Sequence, residues 1–300
     1  MIVGKSREKQ SCWKREAGVG CPKLFVTDFD GTLLRSDRTF STGDLDALEH
    51  LGQRGVTRVV ATGRSLYSFM QSAGADLPVD YTVFSTGAGT AAHPTGKIVR
   101  KTNLAPAAVD RALRVFVELD FDFMVHHPVP DNHWFSYRRT QRHNPDFETR
   151  VSGYEKFAVP LALEEGTPFG PAAQLLAVVP RDQAAAAVDL VQSLLPDFSV
   201  IPATSPMDGH STWLELFDPG VSKSQTVAWL AAGLGITPAQ TMAIGNDFND
   251  LDLLEWAGSS FVVDNAPDQL KRRFNTVASN NSCGVARAVD LWLAEIPVPN

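Results

Sequence analysis

Along the chain, short unbroken apolar runs alternate with longer segments in which apolar and polar residues interleave. The first run, Leu24–Thr27 (LFVT), stops abruptly at acids. Runs of this kind belong to strands buried on both faces, as in parallel sheets. Residues 41–55 (STGDLDALEHLGQRG) then predict a helix, with Ser41 or Thr42 as its cap, Asp44 in the first turn and Gly55 as its stop. Residues 56–64 form a second strand pattern, 65–75 a second helix and 81–89 a third strand. Strand and helix in strict alternation predict a doubly wound α/β sheet. Such sheets hold ligands outside the carboxyl ends of their strands, and here those ends carry Asp28, Thr62 and Ser85.

The rhythm changes after that. TAAHPTGKIV predicts a hairpin turning at 94–96, followed by a helix over 106–119 and two strand-like stretches, FDFMVHH and HWFSYRR. QLLAVVP (174–180), a helix over 182–195 and FSVIPAT (198–204) complete an α+β insertion. The α/β alternation then resumes with WLELF, SKSQTVAWLAAGLG, TMAIG, NDLDLLEWAG and the short strands FVV and TVA. The expected division is a core of residues 22–88 and 210–300 split by an insertion at 89–209, with hinges at 87–89 and 207–209.

Composition narrows the class. The 300 residues are 44% hydrophobic and 20% charged, enough apolar content for a sizeable core. The formal net charge of -7 argues against a chain built to coat nucleic acid or an anionic membrane. No apolar run approaches the roughly 20 residues of a membrane span. The polar, basic residues 1–21 read as a loosely ordered extension rather than a secretory signal. Three cysteines without a CxxC pair favour a reducing, cytoplasmic setting. The sequence is silent on oligomeric state.

Four segments carry candidate chemistry. In DFDGT, Asp28 and Asp30 stand one residue apart at a strand end, where one carboxylate can be an oxygen nucleophile or hard-metal ligand and the other an acid. Thr62 and Gly63, in ATGRS, offer a hydroxyl and a free amide to a phosphoryl oxygen, although a helix N-cap explains the threonine as well. Lys223 sits at a helix start, on the unfavourable side of the dipole, which suggests a phosphate or a carboxylate cluster beside it, although taken alone it reads as a solvated surface lysine. GNDFND, residues 245–250, packs acids and amides at a strand end, more than an Asx turn needs. His126, His127, His133 and His143 lack zinc spacing. Arg138, Arg139 and Arg142 beside them read either as a solvated face or as a site for an anionic substrate group.

Taken in order, DFDGT (28–32 with its preceding strand), ATGRS (61–65), GVSK (220–223) and GNDFND (245–250) resemble the haloacid dehalogenase (HAD) superfamily phosphatases of the Cof-type, subfamily IIB group. The tail from DNAPDQLK to GVARAV is similar to that family's C-terminal pattern, so the likeness runs from residue 22 to about 293. It implies a Rossmann-like core, mostly parallel, with the insertion as a cap that reads the leaving group of a small phosphorylated metabolite. It also implies Mg²⁺. By resemblance, Asp28 attacks phosphorus, and Asp30 protonates the leaving alcohol and then activates water. Thr62, Gly63, Lys223 and Asn249 hold the phosphate. The implied metal set is Asp28, Asp30 and Asp250 with either Asn246 or Asp247, since Asn246 stands where the family has an aspartate. Dehalogenation does not need Asp30. A phosphomutase, or a non-catalytic phosphosugar-binding regulator suggested by Asn246, are the remaining alternatives.

Overall fold

The protein is described by a computed structural model that covers residues 24–162 and 169–294. The expected extension, residues 1–21, lies outside the described residues. The chain builds two sheets. The first has eight strands in the order β14-β13-β12-β1-β2-β3-β4-β5. Its strands are β1 (Leu24–Thr27), β2 (Thr57–Ala61), β3 (Tyr81–Phe84), β4 (Gly89–Ala92), β5 (Lys97–Lys101), β12 (Thr241–Gly245), β13 (Ser259–Val263) and β14 (Asn275–Val277). Pairing is parallel from β14 through β3 and antiparallel at β4 and β5.

Both faces of this sheet are covered, as the unbroken apolar runs require. Phe25 points into a core shared with α1 (Thr42–Gln53), α2 (Leu66–Ala73) and α9 (Gly284–Ala294). Its neighbours Leu24 and Val26 point the other way, onto α6 (Lys223–Gly233), α7 (Leu251–Trp256) and α8 (Asp268–Lys271). Alternating side chains of one strand thus serve two separate cores. Ser41 caps α1 as expected, its hydroxyl accepting from the Asp44 amide at 3.0 Å. The buried Asp44 in turn accepts from the Ala286 amide at 2.7 Å, so the start of α1 satisfies the start of α9.

The second sheet has six strands in the order β10-β11-β9-β6-β7-β8. They are β6 (Phe123–His126), β7 (Phe135–Arg138), β8 (Ala158–Pro160), β9 (Gln174–Val179), β10 (Ser199–Thr204) and β11 (Thr212–Phe217). Helices α3 (Pro106–Glu118) and α5 (Arg181–Leu194) cover one face, and α4 (Pro145–Gly153) partly covers the other.

The two units are not divided where the sequence placed the division. The 94–96 hairpin joins the first sheet, as β4 and β5, and does not open the cap. β5 shows alternating burial, the mark of an edge strand with one wet face. WLELF, expected in the core, is β11 and lies inside the cap sheet between β10 and β9. Five of its six residues are buried, and such a strand reads the same in either sheet. The chain therefore crosses between sheets at 102–105 and 218–222, not at 87–89 and 207–209. The helices α4, α8 and α9 were not foreseen; α4 is nine residues long and α8 four. No helix among the described residues is long and apolar enough to cross a membrane.

Candidate active site

Asp28 follows β1 directly, and its amide donates to the Ile244 carbonyl of β12 at 2.9 Å. The strand end thus fixes the carboxylate's position. Lys223, the first residue of α6, has no exposed surface. Its Nζ donates to Asp28 Oδ1 at 2.7 Å and to Asp250 Oδ1 at 2.5 Å. Burial alone depresses this ammonium, but the Asp250 and Asp28 carboxylates outweigh it and hold the proton well above its usual range. A solvated surface lysine is thereby excluded. Burial, then the Asp250 carboxylate, pushes Asp28 up to about 7 against the pull of Lys223.

Asp250 Oδ2 accepts from the amides of Asn246 (2.9 Å) and Asp247 (3.1 Å). Both of its oxygens are occupied, so it orients Lys223 and the 246–250 loop; this differs from the expectation that Asp250 is itself a metal ligand. Gly245 is required here, since a Cβ would lie 2.4 Å from Asp250 Oδ2.

The two alternatives for the third metal oxygen separate clearly. Asn246 lies against the pair of acids. With its amide nitrogen inward, it donates to the Asp30 carbonyl (3.0 Å), Asp28 Oδ2 (3.1 Å) and Thr32 Oγ1 (3.1 Å). With its oxygen inward, it accepts from Thr32 Oγ1 at 3.1 Å. Gly31 makes this approach feasible: its φ is +73°, and a Cβ would come 2.7 Å from the Asn246 amide. Asp247 instead turns to the cap, accepting from the Thr204 amide (3.0 Å) and hydroxyl (3.2 Å). Asp247 as a metal ligand is therefore corrected, because its carboxylate is spent on another sheet.

Asp30 is bound by Arg64, the fourth residue of the ATGRS segment. Arg64 Nε and Nη2 donate to its two carboxylate oxygens at 2.7 and 2.6 Å, a bidentate clamp. The guanidinium also lies 5.2 Å over the Phe29 ring. A cation placed directly after a strand-end ATG was the available signal. Thr62 is buried, and its hydroxyl accepts from the Arg64 amide at 3.1 Å, which leaves its proton free to donate. Gly63 is exposed beside it, and Asn249 is half-buried on the 248–250 turn. Asn265, from the C-terminal DNAP, donates to the Gly31 carbonyl at 2.8 Å and holds the loop after Asp28.

The next layer is the turn after β3. Ser85 and Thr86 have φ of +48° and +55°, a left-handed conformation that costs about 1–3 kcal/mol per residue. Their amides donate to the carbonyls of Arg64 (2.8 Å) and Thr62 (3.0 Å), which imposes the strain. Thr86 Oγ1 donates to Glu215 Oε2 of the cap at 2.9 Å, and Asn132 of the cap donates to Ser85 Oγ at 2.5 Å. Tyr67 and His133 stack across the same boundary with ring centroids 4.5 Å apart. The cap thus closes over the strand ends. The arginines at 138, 139 and 142 lie elsewhere, paired with Asp120 and Glu148, so they do not form the anion site that was one reading of them.

The family model for haloacid dehalogenase-like hydrolases matches residues 25–289. An HMP-PP phosphatase from Cronobacter sakazakii is 28% identical over 276 residues, covering 90% of this chain and 96% of its own. Among solved structures, a HAD-superfamily phosphatase from Bacteroides thetaiotaomicron superposes with a TM-score of 0.73 at 22% identity, covering 91% of this chain and 95% of its own. A HAD subclass IIB sugar phosphatase superposes with a TM-score of 0.70 at 18% identity, covering 90% and 98%. At these identities the structural likenesses speak for the fold.

Proposed function

The chain belongs to the haloacid dehalogenase-like hydrolase family, and we propose that it is a Mg²⁺-dependent phosphomonoesterase acting through an aspartyl-phosphate on a small phosphorylated metabolite, a sugar phosphate in particular. The observation that carries this reading is the buried Asp28–Lys223–Asp250 triad at the end of β1. Two carboxylates against one ammonium leave a buried excess negative charge, while Asp30 is already neutralised by Arg64. A buried charge of this kind needs a partner.

The donor set fits a hard divalent cation. Among the described residues no three His, Cys, Asp or Glu side chains gather as a cage. The candidates are instead Asp28 Oδ2, the Asp30 carbonyl and the Asn246 amide oxygen when it faces inward, the inward atom of Asn246 lying 3.1 and 3.0 Å from the other two. Mg²⁺ suits such a set, being held by one or two carboxylates and otherwise by water and substrate oxygens. Bound there, it would supply charge neutralisation between the Asp28 carboxylate and the anionic phosphate.

The residues then divide the reaction. Thr62, Gly63, Lys223 and Asn249 hold the phosphoryl oxygens. An Asp28 carboxylate oxygen attacks phosphorus, forming the Asp28–phosphorus bond as the ester P–O bond breaks. Asp30 donates its proton to the departing alkoxide. In the second half, Asp30 takes a proton from water, the water oxygen attacks phosphorus, and the acyl-phosphate P–O bond returns its electrons to Asp28. Arg64 clamps Asp30 in its carboxylate form, the form left once the proton has gone to the alkoxide, and lets go as Asp30 regains a proton from water. The cap excludes bulk water during transfer.

Phosphate release from p-nitrophenyl phosphate with Mg²⁺ tests this, with Asp28→Asn as control. Release well above the control supports the reading; release equal to it overturns it. One observation favours a second reading, a phosphosugar-binding regulator: Asn246 contributes one charge fewer than an aspartate would. Tight sugar phosphate binding without turnover would select that alternative, and transfer of phosphate to a second sugar hydroxyl would indicate a mutase.

A further inference from the structure

Three asparagines late in the chain reach the turn that carries Asp30, and the proposed reaction uses none of them. Asn265 lies just past β13, and Asn280 and Asn281 lie just past β14. The turn they meet is fixed at its ends and free in its middle. Phe29, Leu33 and Leu34 are buried in the core, and the Leu34 amide donates to the Phe29 carbonyl at 2.8 Å. Between them stands Gly31, at φ +73°, with no side chain to restrict its rotation. The backbone next to Asp30 therefore has to be held from outside.

A chain of amides does this. Asn265 Nδ2 donates to the Gly31 carbonyl at 2.8 Å, and its Oδ1 accepts from the Asn280 amide at 3.0 Å, so both ends of the side-chain amide are held. Asn280 is 2% exposed, and its own Nδ2 donates to the Leu34 carbonyl at 3.1 Å. Asn281 grips Ser36, accepting from its amide at 3.1 Å and donating to its hydroxyl at 3.0 Å. Residues 31, 34 and 36 are thus tied to the carboxyl ends of β13 and β14. The tie matters most when Asp30 is an acid. Arg64 grips both oxygens of the carboxylate, whereas a protonated Asp30 turns one of them into a hydroxyl donor. The bidentate clamp is then gone, and the aim of the carboxyl depends on the backbone beneath it. A displacement of about 1 Å at such a group costs about 100-fold in rate.

We infer that Asn265, seated by Asn280, is a positioning residue for the acid step: by pinning the Gly31 carbonyl it keeps protonated Asp30 aimed at the leaving oxygen. Arg64 holds the same residue in the opposite protonation state. The inference rests on the phosphatase reading above and gives the DNAP and SNN segments of the C-terminal region a task.

Leaving-group chemistry tests it. Phenyl phosphate and p-nitrophenyl phosphate share a ring, but phenolate is the stronger base and needs a proton as it departs, whereas p-nitrophenolate leaves without one. Their kcat/KM values report the first transfer and not the hydrolysis that follows. Asp30→Asn should lower the phenyl to p-nitrophenyl ratio of kcat/KM by about 100-fold or more. Asn265→Ala, and Asn265→Asp, which keeps the volume but has no donor for the Gly31 carbonyl, should each lower it by about 5- to 10-fold. Added to Asp30→Asn, Asn265→Ala should leave the ratio unchanged, because the acid it positions is already absent. The ratio is read within one preparation, so it does not depend on how much of a variant folds. A merely structural role lowers both esters alike. An unchanged ratio in both Asn265 variants therefore overturns the inference, as does an equal further drop in the Asp30→Asn background. Failure of the parent reading looks different: the wild type then releases no more phosphate from p-nitrophenyl phosphate than Asp28→Asn does, and the inference falls with it.

Discussion

At the scale of single residues, the proposed chemistry turns on Asp28 and Asn246. In the proposed reaction Asp28 must be anionic to attack, and burial raises it to about 7. Its active form is therefore lost as pH falls through that value. We expect kcat/KM for p-nitrophenyl phosphate to rise between about pH 5 and about pH 8, with the midpoint moving to lower pH as Mg²⁺ is increased. A midpoint indifferent to Mg²⁺ would separate Asp28 from the cation. Asn246 is near-isosteric with aspartate and touches both acids. Asn246→Asp adds a charge without adding volume, so the Mg²⁺ concentration for half-maximal activity should fall by about tenfold in a metal titration. Asp28, the lysine and the loop of acids were legible in the sequence as a cluster because each breaks a local rule: acids at a buried strand end, a cation at a helix start. Whether Asn246 or Asp247 faces the acids was not legible. Adjacent loop residues point to opposite sides, and only the position of Thr204, more than forty residues earlier and in the other sheet, decides the matter. The role of Arg64 is not legible locally, because it depends on Asp30, which follows the neighbouring strand β1.

At the scale of elements, β11 carries the main surprise. Its sequence is a buried strand in any context, and its assignment to the cap follows only from pairing with β9 and β10. That pairing brings Glu215 to Thr86. Burial pushes Glu215 up from 4.5 to about 7. The folded state therefore holds this proton more tightly than the unfolded chain. The associated stability is full below pH 4.5 and is lost as pH rises through about 7. A shift of this size corresponds to about 3 kcal/mol at most. Glu215→Gln does not titrate, so its Tm should change less than that of the wild type across this window in thermal melts; parallel curves would mean that Glu215 is not buried in solution. On the other flank, Asp247 ties the 246–250 loop to β10 through Thr204. Asp247→Ala removes this tie without touching Asp28. It should raise KM for a sugar phosphate by about 3- to 10-fold, the worth of one or two lost hydrogen bonds. A loss confined to kcat and as large as that of Asp28→Asn would return Asp247 to the metal site.

At the scale of the whole molecule, the α/β core, its split by an insertion and the order of motifs were all foreseeable, because apolar periodicity and strand-end polar residues are local signals. The sheet that each marginal strand joins is a non-local choice, and so both domain boundaries moved. The resulting architecture assigns a task to each unit. The parallel sheet and α6 gather Asp28, Asp30, Thr62, Lys223 and Asn246 at the carboxyl ends of its central strands, and the cap sheet brings its own polar face down beside them. The measurement that tests this arrangement most directly is the electron density of crystals grown with Mg²⁺ and beryllium fluoride, a mimic of a phosphoryl group bonded to a carboxylate. We expect beryllium on an Asp28 carboxylate oxygen beside Lys223, with Mg²⁺ held by Asp28, the Asp30 carbonyl and Asn246. Beryllium on any other side chain, or a cation seated at Asp247, would contradict it.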